Sequence, residues 1–145
     1  MNTGRQLVEK ITVSPQVIDV YKLVFPEIFL DQENSSIELM NGIAGNDSEW
    51  FGIYDKGSVV AFCTIARIQS YVILYNVGVL YEYRNKGYGS ELIRYIIDNN
   101  DFDNISLFVK KSNHRAIKLY RKYNFEYTDE IFQPPFGYIC MVRIA

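Results

Sequence analysis

The order of elements legible in this sequence predicts a mixed α+β sheet within one domain spanning residues 1–145. Three observations carry that expectation. Short alternating strands with turn residues between them fill much of the first half. A strand–helix–strand–helix series runs from Tyr71 to Asn124, and two further strands close the chain. The strand–helix–strand step puts one parallel pair into an otherwise antiparallel sheet, because a crossover of that length returns the chain to the same edge. With 145 residues, 48% of them hydrophobic, the chain can bury a core of its own.

Each element has its own signal. Gln6–Val13 alternates weakly and reads as a first or edge strand. Ser14-Pro15 starts a helix, with proline where a missing N–H costs nothing; Val17, Ile18, Tyr21, Val24 and Phe25 form its apolar face until Pro26. Asp31–Gly45 is polar, with a short helix expected at Ser36–Ile43 between glycine-marked breaks. Trp50–Tyr54 and Ser58–Ile68 are strands joined by the turn Asp55-Lys56-Gly57, and Tyr71–Val79 follows. Next come a helix over Glu91–Asn100, with Leu92, Ile93, Ile96 and Ile97 toward the sheet, and a strand over Ile105–Val109. Asn113 opens a second helix that ends at Tyr123-Asn124-Phe125. Asparagine is the next-best residue after glycine for a left-handed position there. Phe125–Ile131 and Tyr138–Ile144 form the last strand pair, around a loop at Phe132–Gly137.

Composition excludes several function classes. No run approaches the roughly 18 apolar residues of a membrane helix and the N-terminus has no signal-like stretch, so a cytoplasmic protein without a membrane partner is expected. Cys63 and Cys140 stand alone in apolar runs, which suits buried reduced thiols rather than a disulfide or metal site; no metal is expected. His114 is the single histidine, so chemistry needing a histidine cluster is out. A net charge of −2 disfavours nucleic acid as the main partner. The charges are segregated. From Leu23 to Asp55 there are seven acids (Glu27, Asp31, Glu33, Glu38, Asp47, Glu49, Asp55) and no Lys, Arg or His. From Arg84 to Lys122 nine basic residues face four acids. The basic half suits a phosphate-rich ligand, the acidic half a cationic one or a solvated surface.

The segment from Val77 to Ser90 runs from a strand through a glycine-spaced turn into a helix. Unpaired backbone N–H groups and the positive end of a helix dipole then converge on one spot, a socket for a phosphate-bearing ligand. Gly87 and Gly89 allow close approach, and Arg84 and Lys86 add mobile positive charge. Alone, this pattern fits an ordinary strand-to-helix turn. It is neither the dinucleotide fingerprint, since Arg84 stands at the first glycine, nor a P-loop, since no Gly-Lys-Ser/Thr follows. Gly78, within an apolar β-branched strand, marks a bulge or the close approach of another backbone.

Two blocks together carry a resemblance: Arg84-Asn85-Lys86-Gly87-Tyr88-Gly89, and Ser112-Asn113-His114-Arg115-Ala116-Ile117-Lys118-Leu119-Tyr120 followed by Tyr123-Asn124-Phe125. Their spacing resembles the GNAT superfamily of acetyl-CoA-dependent N-acetyltransferases, whose first signature is Arg/Gln-x-x-Gly-x-Gly/Ala. The resemblance implies a mostly antiparallel sheet of six to seven strands, a splayed parallel pair, and helices on both faces. It implies acetyl-CoA as cosubstrate. The pantetheine arm would lie along Val77, Gly78 and Val79, and the pyrophosphate on Arg84, Asn85, Lys86, Gly87, Tyr88, Gly89 and Ser90. Asn113 would serve as helix cap, as cosubstrate contact, or as both. With 12 tyrosines in the chain, one on an apolar helix face is more often core, but Tyr120 matches the family's proton donor to the departing thiolate.

The resemblance also locates a departure. Leu107–Asn113 is similar to bacterial ribosomal-protein-alanine N-acetyltransferases, which have a catalytic glutamate where this chain has Phe108. Phenylalanine accepts no proton, so the base is another carboxylate, a water, or none if the amine arrives neutral. The expected reaction is direct attack of an amine on the thioester, with the Val79 N–H holding the oxyanion. A non-catalytic acyl-CoA-binding domain is the alternative reading. A toxin acting on aminoacyl-tRNA would want a basic acceptor face, which the Leu23–Asp55 segment argues against. Phe29, Phe136 and Tyr138 are the expected apolar walls of a mouth for a cationic acceptor, and a homodimer is left open.

Overall fold

Seven strands make one sheet: β1 (Val8–Ile11), β2 (Ser48–Asp55), β3 (Ser58–Ile68), β4 (Tyr71–Val79), β5 (Asn104–Lys110), β6 (Glu126–Thr128) and β7 (Tyr138–Ile144), in the spatial order β1-β2-β3-β4-β5-β7-β6. The computed structural model describes residues 7–12, 14–24, 48–68, 71–99, 104–129, 134 and 136–144. Three helices accompany the sheet: α1 (Pro15–Val24), α2 (Tyr88–Asp98) and α3 (His114–Lys122). The short helix expected at Ser36–Ile43 lies outside the described residues.

Every neighbouring pair is antiparallel except β4 and β5. The Lys56-Gly57 turn puts both residues at positive φ (53° and 81°), the handedness a two-residue hairpin needs, and so fixes the β2–β3 register. Strand alternation sorts the side chains into two layers. Phe51, Cys63, Ile65, Val72, Leu74, Ile105, Leu107, Val109 and Met141 form one core with Leu92, Ile93 and Ile96 of α2 and Tyr120 of α3. Their strand neighbours Trp50, Phe62, Thr64, Ile73, Ser106 and Cys140 are buried on the other face, where Trp50 stacks on Phe62 with ring centroids 5.9 Å apart. There α1 packs on β3 and β4, burying Val17 and Val20, while Ser14 Oγ caps it by accepting from the Val17 N–H at 3.3 Å. Both cysteines are buried free thiols, one per face.

Several boundaries differ from expectation: β2 runs Ser48–Asp55 rather than Trp50–Tyr54, β5 runs Asn104–Lys110 rather than Ile105–Val109, and α2 and β6 differ too. Helix α2 begins at Tyr88 rather than Glu91 and ends at Asp98. Gly87 takes a left-handed conformation (φ 87°) and serves as N-cap, so Glu91 N–H already bonds back to Gly87 O at 3.0 Å. Strand β6 spans Glu126–Thr128, which pair with Cys140–Val142 of β7; of the remaining expected residues, Asp129 is a bend and Glu130 and Ile131 lie outside the described residues. A short outermost strand limits the unpaired edge.

Helix α3 ends as its sequence requires, with Asn124 at φ 69° and Phe125 N–H donating to Tyr120 O at 3.1 Å. Asn124→Gly should therefore leave stability equal or raise it. Asn124→Val should cost about 1–2 kcal/mol, the strain of a left-handed L-residue, read by urea unfolding. Equal stability of the valine variant would contradict the assigned conformation.

Candidate active site

Strands β4 and β5 pair only from Tyr71↔Asn104 to Leu74↔Leu107. Beyond that point β5 stays on β7 as far as Lys110↔Tyr138, and β4 stays on β3 as far as Ala61↔Val79. Between Tyr75 and Gly78, strand β4 advances three residues while β3 advances two, from Thr64 to Phe62. This bulge twists β4 away from β5, as the glycine suggested. A wedge opens between the two strands. Leu80 N–H donates to Val60 O at 2.9 Å, so backbone alternation turns the Val79 N–H the other way, toward the wedge.

The wedge is a cleft of about 490 Å³, within the roughly 300–1,000 Å³ usual for small-molecule sites. Its lining comprises Val77, Gly78 and Val79 of β4; Tyr83, Arg84, Asn85, Gly87, Tyr88, Gly89 and Ser90 of the turn and first turn of α2; and Asn113, Arg115, Ala116, Leu119 and Tyr120 of α3. Ten of the eleven residues expected at the cosubstrate are therefore brought together, and Tyr120 joins them. Lys86 is the exception. Its ammonium rests over the Tyr83 ring, 5.5 Å from the centroid, rather than in the lining.

The floor of the cleft is a helix start. Glu91 N–H is the first amide with an intrahelical acceptor, and Gly87 supplies no side chain to cap the preceding ones. The N–H groups of Tyr88, Gly89 and Ser90 are thus left for a ligand, with the dipole of an 11-residue helix behind them. A Cβ built on Gly87 would meet nothing within 4 Å, and one on Gly89 only Leu119 Cδ2 at 3.8 Å. The space over the socket is open. Orphan amides at a helix start suit a phosphate group.

The turn itself is held at several points. Arg84 Nε donates to Val79 O at 3.1 Å, and its guanidinium lies over Tyr81, 5.6 Å from the centroid. Asn85, at φ 64°, accepts from the Arg115 guanidinium through Oδ1. Tyr83 Oη donates to Asp55 Oδ2 at 2.7 Å, and that bond raises the phenol's pKa above the ordinary tyrosine value. On the opposite wall, Asn113 Oδ1 accepts from Ala116 N–H at 3.2 Å, so Asn113 is a helix cap that also reaches the cleft.

Tyr120 is almost fully buried and packs edge-on against Phe125, with centroids 5.8 Å apart. Burial, with a smaller contribution from nearby Cys63, pushes its pKa up to about 12. Burial pushes the Cys63 thiol to about 12 as well. Sequence reasoning missed Tyr83, Arg115, Ala116 and Leu119 in the lining. The three on α3 were legible: 115/119 and 116/120 are i,i+4 pairs on the stripe that carries Tyr120. Tyr83 belongs to a one-turn 3₁₀ segment, Tyr81–Tyr83, that no periodicity announces.

Much of the expected acceptor mouth lies outside the described residues. Phe29 and five of the seven acids, Glu27, Asp31, Glu33, Glu38 and Asp47, lie outside the described residues. Phe136 is fully exposed and Tyr138 half-buried at the start of β7; neither lines the cleft. The two described acids are engaged elsewhere. Glu49 pairs with Arg67 at 3.0 Å and Lys10 at 3.4 Å, and Asp55 holds Tyr83. Among the described residues no helix is long and apolar enough to cross a membrane, and no three His, Cys, Asp or Glu side chains form a metal-sized cluster.

Known proteins share both sequence pattern and fold. The chain is 38% identical over 79 residues to the uncharacterized N-acetyltransferase YobR of Bacillus subtilis, a match covering 52% of this chain and 32% of that protein. It therefore spans about a third of that relative's length. The fold superposes on the ribosomal-protein-S18-alanine N-acetyltransferase of Escherichia coli with a TM-score of 0.75, at 19% identity over 94% of this chain and 92% of that one. It also superposes on the PaiA N-acetyltransferase of Thermoplasma acidophilum in complex with coenzyme A, with a TM-score of 0.71 and 16% identity over 95% and 99% of the two chains. Residues 14–125 match the model of the acetyltransferase (GNAT) family, which takes in the splayed strands, the glycine-spaced turn and both helices of the cleft; the chain belongs to that family.

Proposed function

We propose that this protein transfers an acetyl group from acetyl-CoA to a primary amine by direct attack. The observation that carries the reading is the wedge between β4 and β5, with orphan amides at one end and Tyr120 at the other. The pyrophosphate would sit on the Tyr88–Ser90 amides, and the pantetheine arm would pair with the exposed backbone of Val77 and Val79 as an added strand. The amine nitrogen forms a bond to the thioester carbon and the carbon–sulfur bond breaks. The amine loses a proton and the departing sulfur gains one. A backbone N–H of the Val77–Val79 strand that the arm leaves free, such as that of Val79, would hold the oxyanion, a role typically worth ~10²–10³-fold in rate.

Tyr120 would serve the sulfur. A phenol of pKa about 12 is a weak acid for a thiolate whose ordinary pKa is about 8.5. Desolvation acts on sulfur in the same direction, as it pushes up the buried Cys63 thiol. A leaving thiolate deprived of water beside Tyr120 would be raised in basicity with its donor, which would narrow the gap between the two acidities. No carboxylate lines the cleft among the described residues, and Phe108 offers none. A non-catalytic acyl-CoA-binding role remains the second reading on that ground. Thiol release from acetyl-CoA, assayed across amines, peptides and polyamines, separates the two, and robust turnover eliminates the second.

Acetyl-CoA should raise the melting temperature of the wild type. Gly89→Val should fold, since its Cβ meets only ordinary contact, and yet lose the shift because the side chain enters the socket. Gly87→Val should lose it through backbone strain at φ 87°. Unchanged shifts in both would remove the phosphate from this turn.

Tyr120→Phe should lower kcat by ~10²–10⁴-fold with a much smaller change in acetyl-CoA affinity. A raised donor pKa means the acid form persists as pH rises, so activity should show no descending limb from this group below about pH 11. A descending limb near pH 9 that vanishes in the phenylalanine variant would place the donor's pKa elsewhere.

For the acceptor, the charge of Glu27, Asp31, Glu33, Glu38 and Asp47, which lie outside the described residues, favours a cationic amine. The specificity constant for the best cationic acceptor should then fall as salt shortens the Debye length toward about 3 Å at 1 M. A salt-insensitive constant, or a preference for acidic acceptors, would return those acids to a solvated surface.

A further inference from the structure

We infer that Asp55, which lies outside the cleft, is a positioning residue that sets the shape of the phosphate-binding turn through Tyr83. This inference rests on the acetyl-CoA reading of the cleft and adds a residue that no glycine motif contains. Asp55 ends β2 at the Lys56-Gly57 hairpin, 28 residues before Tyr83, and its carboxylate accepts the Tyr83 hydroxyl at 2.7 Å. Tyr83 stands at a crossing of three contacts. Its ring packs against Tyr88, the first residue of α2, at a centroid distance of 6.0 Å, and the Lys86 ammonium rests over its face at 5.5 Å. The hydroxyl bond therefore fixes a ring that touches both the middle and the end of the turn.

The turn needs such a tie. From Tyr83 to Gly87 the backbone passes through two left-handed residues, Asn85 and Gly87, which regular secondary structure does not hold in place. Its far side is gripped by Arg115 of α3 through Asn85, and its near side by Asp55 of the hairpin through Tyr83. A phenol bonded to a carboxylate is one of the stronger hydrogen bonds available at a half-exposed site. Its loss would let Tyr83 swing and carry Lys86 and the α2 start with it, spreading the amides that a pyrophosphate must meet together.

The test separates phosphate binding from general damage by comparing two ligands: CoA, and S-acetylpantetheine, which lacks the pyrophosphate. Affinities are followed by NMR line shifts, which report millimolar binding. Asp55→Ala should weaken CoA by roughly tenfold, the worth of one charge-assisted bond, and leave S-acetylpantetheine unchanged. Tyr83→Phe, which keeps the ring, should weaken CoA by a similar factor, and the double variant should be no worse than either single one. Equal losses for both ligands, wild-type CoA affinity in Asp55→Ala, or additive losses in the double variant would each overturn the inference. A wild-type protein that fails to bind CoA would overturn the underlying cleft reading instead.

Discussion

The site exists because a parallel strand pair stops after four residues. From Leu74 and Leu107 onward β4 and β5 part, yet neither strand is loose, since β4 remains bonded to β3 and β5 to β7. The wedge therefore has two stiff walls. Backbone groups facing it have lost their ladder partners, and a buried amide left unpaired costs about 1–3 kcal/mol, so the gap must hold water or something that replaces the missing strand. A ligand arm with amides of its own satisfies that demand better than water does. Helix α2 springs from one lip and α3 from the other, which brings a helix start and a buried phenol to the two ends of one opening.

Charge in the cleft is arranged by backbone more than by side chains. The cationic groups nearest the turn are occupied: Arg84 with Val79 O and the Tyr81 ring, Lys86 with the Tyr83 ring, Arg115 with Asn85. What faces the ligand without a helical partner is the set of amides at the start of α2. Fixed dipoles need little reorganisation when an anion arrives, whereas mobile side chains must be ordered. Arg84, Lys86 and Arg115 thus act largely as a scaffold and surrounding field for those amides.

Much of this was legible in the sequence where local chemistry decides structure. The limits of β3, β4 and β7 follow from alternation and turn residues, and Asn113 and Asn124 announce the two ends of α3. The start of α2 was misjudged because Gly87 caps it through a left-handed backbone rather than through a side chain, and glycine alone does not distinguish cap from loop. Long-range partners were not legible at all. Lys86 reads as a phosphate ligand by position, but the nearby Tyr83 ring competes for its charge. Glu49 and Asp55 read as part of an acidic patch, but Arg67 and Tyr83, distant in sequence, claim them.

The same competition bears on how an amine could lose its proton here. Along β5, Leu107 and Val109 belong to the core that holds Tyr120, so alternation sends Phe108 to the opposite face, with Cys140 and Ser106. A carboxylate at Phe108 would approach the reacting carbonyl from the side away from the phenol, the arrangement that lets one group take a proton while another gives one. Phe108 is half-buried there and places a hydrocarbon ring where a carboxylate would stand. Apolar surface disfavours the ammonium form of a bound amine, so if the proposed acceptor seats against this ring, desolvation would supply part of the neutral nucleophile that a glutamate would otherwise generate. Under the direct-attack proposal, the substitution would exchange a residue that removes a proton for one that makes the proton easier to lose.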